Sequence, residues 1–154
     1  MDEKSVDLVF TNWLMMYLSD REVIEFLFNA MRWLRADGYL HLRESCSEPS
    51  TGRSKSATLH SNAEANPTHY RFSSLYIKAI VCRDPFLIKL LRAIRYRDND
   101  GKVWRFDVQW SCSVPTYITR SNNWRQVHWL TKKVLAEGDK ETQASDLIKL
   151  FSLK

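Results

Sequence analysis

The sequence predicts an α/β fold that fits the second half of an open sheet. Three observations carry that expectation. Residues 6–43 read as strand, helix, strand; residues 104–110 alternate with period two; and Trp124–Val134 is a further strand candidate.

Each element has a local reason. Val6–Thr11 is a compact, β-branched and apolar run. Ser19-Asp20-Arg21-Glu22 has the Ser-x-x-Glu spacing in which two side chains satisfy each other's free helix-end N–H groups. Val23, Phe26, Leu27, Ala30, Met31 and Leu34 then recur at helical spacing, and Gly38 stands where a left-handed helix terminus is expected. Tyr39–Arg43 follows as a second strand, parallel to the first through a right-handed crossover. Residues 47–70 form a long polar loop rich in Ser, Thr, Asn and Lys, of a length found in lids and binding segments. A helical period returns from Phe72 to Tyr96, broken at Pro85, and Asp98-Asn99-Asp100-Gly101 signals a turn. Trp104, Phe106, Val108 and Trp110 make one greasy strand face. Residues 137–145 read as an acidic linker, and Asp146–Lys154 begins an amphipathic helix.

Composition narrows the class. The 154 residues are 44% hydrophobic and 27% charged, which excludes a disordered or low-complexity chain. No apolar run is long enough for a membrane-spanning helix, and no secretory signal is visible. Cys46, Cys82 and Cys112 are odd in number and far apart, so neither a disulfide framework nor a zinc pair is expected, and the default location is cytoplasmic. The net charge of +5 is uneven: residues 71–105 carry nine bases against three acids. Such a segment is either a solvated helix face or a surface for nucleic acid, anionic lipid or a phosphorylated small molecule.

In open α/β sheets, ligands sit at the carboxyl ends of the parallel strands, which directs attention to residues 11–18 and 43–48. The segment Thr11-Asn12-Trp13-Leu14-Met15-Met16-Tyr17 is either core packing or a ligand-facing loop, in which Asn12 and Trp13 approach the ligand and Tyr17 offers its hydroxyl to an amine. Arg43-Glu44-Ser45-Cys46 is either an exposed ion pair or a polar lining of the crevice. His69 and Arg71 can hold a phosphate and Tyr70 can meet a cationic head group. Spacing reveals no Ser-His-Asp or Cys-His nucleophile pair, no metal-ligating cluster and no glycine-rich phosphate loop.

Val6–Asp20 closely resembles a motif of the first methyltransferase domain of phosphoethanolamine N-methyltransferases. Arg43–Cys46 and Asn66-Pro67-Thr68-His69-Tyr70-Arg71 resemble two further motifs of that family in order and spacing. Trp110-Ser111-Cys112 and Asn123–Trp129 are similar to its nematode branch. The resemblance implies a class I, S-adenosylmethionine-dependent enzyme that methylates the nitrogen of phosphoethanolamine on the route to phosphocholine. It implies the C-terminal half of a Rossmann-like sheet: two parallel strands plus an antiparallel pair, with Trp124–Val134 between Tyr39–Arg43 and Trp104–Cys112. The N-terminal strands, the glycine-rich cofactor loop and the acidic ribose ligand are expected before Met1, so the isolated chain is expected not to bind the cofactor. Without those strands Val6–Thr11 is expected to be an apolar edge.

By the same resemblance, Tyr17 stands where single-domain relatives carry a catalytic His and positions the amine. Thr11, Asn12 and Trp13 face the cofactor, while Ser45, His69, Tyr70 and Arg71 bind the substrate. Residues 1–135 are expected to be a partial methyltransferase domain with an insertion at 79–89, where Ile77-Lys78 is echoed by Ile88-Lys89. Residues 136–154 are expected to be a linker and the start of a further helix. The expected partner is phosphoethanolamine, with the missing N-terminal half or a full-length homologue as a possible protein partner and with no nucleic acid. The alternative is a basic binding or pairing module in which Arg71, Lys78, Arg83, Lys89, Arg92, Arg95 and Arg97 meet RNA or anionic lipid.

Overall fold

A computed structural model describes residues 2–45, 86–124, 126–138 and 140–151. Its strands are β1 (Val6–Asn12), β2 (Leu34–Ser45), β3 (Arg95–Arg97), β4 (Val103–Ser113) and β5 (Gln126–Leu135). Its helices are α1 (Asp20–Trp33), α2 (Phe86–Ala93), α3 (Pro115–Ser121) and α4 (Ala144–Phe151), with a 3-10 turn at Met15–Tyr17. The sheet order is β1-β2-β5-β4-β3. β1 and β2 are parallel, and β5 lies antiparallel between β2 and β4, as expected.

The α1 start is the expected one. Glu22 N donates to Ser19 Oγ at 3.2 Å while Ser19 N donates to Glu22 Oε2 at 2.7 Å. The α1 end is different. The helix stops at Trp33, and Gly38 lies inside β2, with Asp37 as the left-handed residue at φ 63°. Tertiary structure does the capping instead: the buried Lys133 ammonium donates to Met31 O and Leu34 O, each at 2.7 Å. A cation there meets the negative end of the helix. Gly38 is needed for close approach, because a Cβ on it would come within 3.0 Å of Arg35 O and 3.2 Å of Asp7 O.

Several boundaries move. The Phe72–Tyr96 helical reading gives way to α2 and the short β3 within its described part, because Tyr96 pairs with Trp104 across the Asp98–Gly101 turn. The hairpin between β4 and β5 contains α3, which the sequence did not announce. The β4–β5 register also sets Cys112 opposite His128, a Cys–His pair that spacing had not revealed. The motif Asn66–Arg71 and most of 79–89 lie outside the described residues.

Helices cover one face of the sheet. Leu40, Leu42, Trp129 and Phe106 pack there against Val23, Leu27 and Met31 of α1, Leu90 and Leu91 of α2, and Leu147 of α4. Leu147 thereby joins the core. The opposite face exposes Leu8 and Phe10 on the edge strand β1, together with Tyr39 and with Trp110, which a register shift after Val108 turns away from the face of Trp104, Phe106 and Val108 that the alternation predicts for it.

Candidate functional site

β1 ends at Asn12, the register partner of Arg43, and the parallel β2 ends two residues further on at Ser45. The chain leaves β1 through a tight reversal, with Trp13 in the left-handed region at φ 56° and Trp13 N bonded to Arg43 O at 2.9 Å. A large side chain rarely adopts that backbone, and such strain gathers at functional sites.

Glu44 explains how the reversal is held. Its buried carboxylate accepts from Thr11 Oγ1 at 3.1 Å, Leu14 N at 3.3 Å and Met15 N at 3.1 Å. Beside it, Trp13 Nε1 donates to Gln126 Oε1 at 2.8 Å, and Gln126 Nε2 donates to Ser45 Oγ at 2.8 Å. Glu44 is buried and so is not half of an exposed ion pair; among the described residues it holds the loop. Arg43 instead lies over the Tyr117 ring at 5.3 Å, and its buried Nε has no hydrogen-bond partner among the described residues.

The structure thus brings Thr11, Trp13 and Ser45 into one neighbourhood through Glu44 and Gln126. Asn12 and Tyr17 are exposed at its rim, Tyr17 at 59%. His69, Tyr70 and Arg71 lie outside the described residues. Glu44 and Gln126 are the residues that sequence reasoning missed as a pair: both stand in quoted motifs, but only the β2–β5 register, in which Ser45 meets Gln126, connects them.

An exposed amide and an exposed phenol line the strand ends, and the orphaned Arg43 Nε is a buried donor of the kind that a carboxylate, phosphate or carbonyl oxygen satisfies. Among the described residues no group of three His, Cys, Asp or Glu can hold a metal ion, and no helix is long and apolar enough to cross a membrane. The basic stretch is partly committed: Arg97 pairs with Glu141 at 3.1 Å and Arg95 donates to the carbonyls of Arg92 and Ile94.

No family model matches the chain. The solved structure of Haemonchus contortus phosphoethanolamine N-methyltransferase 1, in complex with phosphoethanolamine and S-adenosylhomocysteine, is 78% identical, with a TM-score of 0.80 over 99% of this chain and 30% of that one. Haemonchus contortus phosphoethanolamine N-methyltransferase 2 shares the fold, with a TM-score of 0.58 at 17% identity. The fold is therefore that of the S-adenosylmethionine-dependent methyltransferases.

Within that class the sequence is related to the phosphoethanolamine N-methyltransferases. It is 68% identical to Caenorhabditis elegans phosphoethanolamine N-methyltransferase 1 over 98% of this chain, and 31% identical to Arabidopsis thaliana phosphoethanolamine N-methyltransferase 3 over 91%. The chain spans 30% of the first relative and 25% of the second.

Proposed function

We propose that this chain forms part of an enzyme that transfers a methyl group to the nitrogen of phosphoethanolamine. The observation that carries the reading is the 68% identity to the Caenorhabditis elegans enzyme over 98% of this chain. Nothing in the comparisons favours the basic binding module. The division into a partial methyltransferase domain at 1–135, inserted at 79–89, and a tail at 136–154 belongs to the same proposal, as does a cytoplasmic location.

S-adenosylmethionine, when bound, supplies an electrophilic methyl carbon. In this reading the task of the chain is positioning. Thr11, Asn12 and Trp13 form the cofactor-facing segment, with the Thr11 and Trp13 side chains holding its shape through Glu44 and Gln126. The exposed Tyr17 hydroxyl orients the substrate amine. Ser45, His69, Tyr70 and Arg71 take the phosphate end. Correct alignment of reacting groups is worth several kcal/mol of barrier, and the amine must also lose its proton.

The test uses a polypeptide of the relatives' length that carries this segment. Tyr17→Phe is expected to lower turnover on phosphoethanolamine while leaving cofactor affinity in place. His69→Ala, Tyr70→Phe and Arg71→Ala are each expected to raise the Michaelis constant for phosphoethanolamine about ten- to a hundred-fold, the size of a charge-assisted hydrogen bond. Equal methylation of free ethanolamine would overturn the phosphate assignment. Unchanged turnover of Tyr17→Phe would return Tyr17 to packing.

A further inference from the structure

The open face of the sheet carries a nucleophile and two bases in line, and the methyl-transfer reading uses none of them. Cys112 is exposed, and its Sγ lies 3.1 Å from His128 Nε2. On the other side of the ring, His128 Nδ1 lies 3.3 Å from His41 Nε2. Aromatic walls hold both imidazoles. Trp110 packs edge-on to His128 at 4.7 Å and to His41 at 5.8 Å, and Phe10 lies 5.2 Å from His41.

This is the geometry of an activated nucleophile: a thiol, a base within hydrogen-bond reach, and a third group orienting the base. The two nitrogens of His128 serve different partners, so the three groups form a chain and do not converge on one point as metal ligands do. Burial first, and then the Arg43 guanidinium, lowers the pKa of His41; burial, His41 and Arg43 lower that of His128. In the tautomer with its proton on Nδ1, His128 accepts from the thiol at Nε2 and donates to His41 Nε2. Among the described residues, the charged and titratable groups acting on it are His41 and Arg43 of β2 and Cys112 of β4, and Tyr117 of α3 lies against Arg43.

We propose that Cys112 is a thiol-modification site, at which His128 takes the thiol proton while Sγ exchanges with a small anionic disulfide of the glutathione class. Cys112 Sγ attacks one sulfur of the disulfide, the S–S bond breaks, and a Cys112 mixed disulfide forms. The departing thiolate leaves with the proton that His128 had received, so the incoming disulfide is the oxidant and a free thiol is released. Arg43 beside the ring pair favours an anionic reagent over a cationic one.

The experiment uses a polypeptide of the relatives' length that carries this segment with Cys46→Ser and Cys82→Ser, and locates the adduct on Cys112 by peptide mapping. The probe is oxidised glutathione, with the adduct counted by mass spectrometry. An ordinary thiol is only about 3% thiolate at pH 7, so base assistance can raise its rate up to about thirty-fold. His128→Gln is expected to slow modification about ten-fold and His41→Asn about three-fold. In the parent, log rate is expected to rise with pH at a slope well below one, whereas an unassisted thiol rises with unit slope. A His128→Gln rate within two-fold of the parent, or a unit slope in the parent, overturns the proposal. Where His128→Gln does not fold, the parent slope decides.

Discussion

The two ends of the sheet use the same device for different purposes. At each, a buried carboxylate gathers backbone and side-chain donors. Glu44 holds Thr11, Leu14 and Met15 at the carboxyl ends of β1 and β2. Asp98 holds Trp104 Nε1 at 2.8 Å, Lys102 N at 2.9 Å and Asp100 N at 3.0 Å at the opposite end, with Lys4 at 3.0 Å. Beside Asp98 the left-handed conformation falls to Gly101 at φ 79° and to Lys4 at φ 54°, whose ammonium pairs with Asp98; beside Glu44 it falls to Trp13 at φ 56°, in the loop between Asn12 and Tyr17. The Asp98 end ties the N-terminal segment to the β3–β4 turn through Lys4. The Glu44 end keeps a strained loop in place and leaves Asn12 and Tyr17 facing outward. Each end holds one non-glycine residue in the left-handed region, so the difference lies in what the loops present: a closed turn by Asp98, and an outward-facing amide and phenol by Glu44.

The largest effect is expected at Glu44. Glu44→Ala frees the Thr11 hydroxyl and two backbone N–H groups in a buried setting, and each such bond to a charged acceptor is worth roughly 1.5–3 kcal/mol. A loss of about 3–5 kcal/mol in denaturant unfolding is predicted, with Glu44→Gln losing less. A loss below about 1 kcal/mol would mean that the loop holds itself.

Asp98 comes next and carries a pH signature. Burial opposes its charge, but the bonds from Trp104, Lys4 and the Lys102 backbone outweigh burial and bring its pKa down to about 2. A carboxyl depressed when folded binds fewer protons there than in the unfolded chain, so its stabilisation is present above the unfolded value and is lost as pH falls from about 4 to 2. Asp98→Asn is expected to cost about 2 kcal/mol at neutral pH and to converge with the parent near pH 2. A constant gap across that window would contradict the shift.

Smaller effects sharpen the contrast. Trp13→Phe removes the indole donor to Gln126 and is expected to cost about 1–2 kcal/mol. Gly101→Ala meets nothing within 4 Å, so its expected cost of about 1 kcal/mol or slightly more is conformational alone.

The sequence made the elements legible where local chemistry decides them. Ser19 and Glu22 marked the α1 start because both halves of that cap lie within one turn. Parallel β1–β2 followed from the crossover, and the place of β5 from the family resemblance. What stayed hidden depends on residues far apart in the chain. The α1 end was assigned to Gly38 because the cap that serves it, Lys133, sits 102 positions from Met31. β3 was read as helix because Tyr96 becomes a strand residue only when Trp104 is opposite. Tyr17, Asn12 and Trp13 were found from the strand end, but the Glu44–Gln126 frame around them and the Cys112–His128 pair exist only through the registers of β5.

The central claim is that the Glu44 end serves function and the Asp98 end serves stability. The most direct measurement takes Glu44→Gln and Asp98→Asn in a polypeptide of the relatives' length, and records both the melt and the turnover on phosphoethanolamine per folded molecule. The account predicts that Glu44→Gln loses turnover beyond its loss of stability, while Asp98→Asn melts earlier with turnover per folded molecule intact. Equal turnover per folded molecule in the two variants would contradict it.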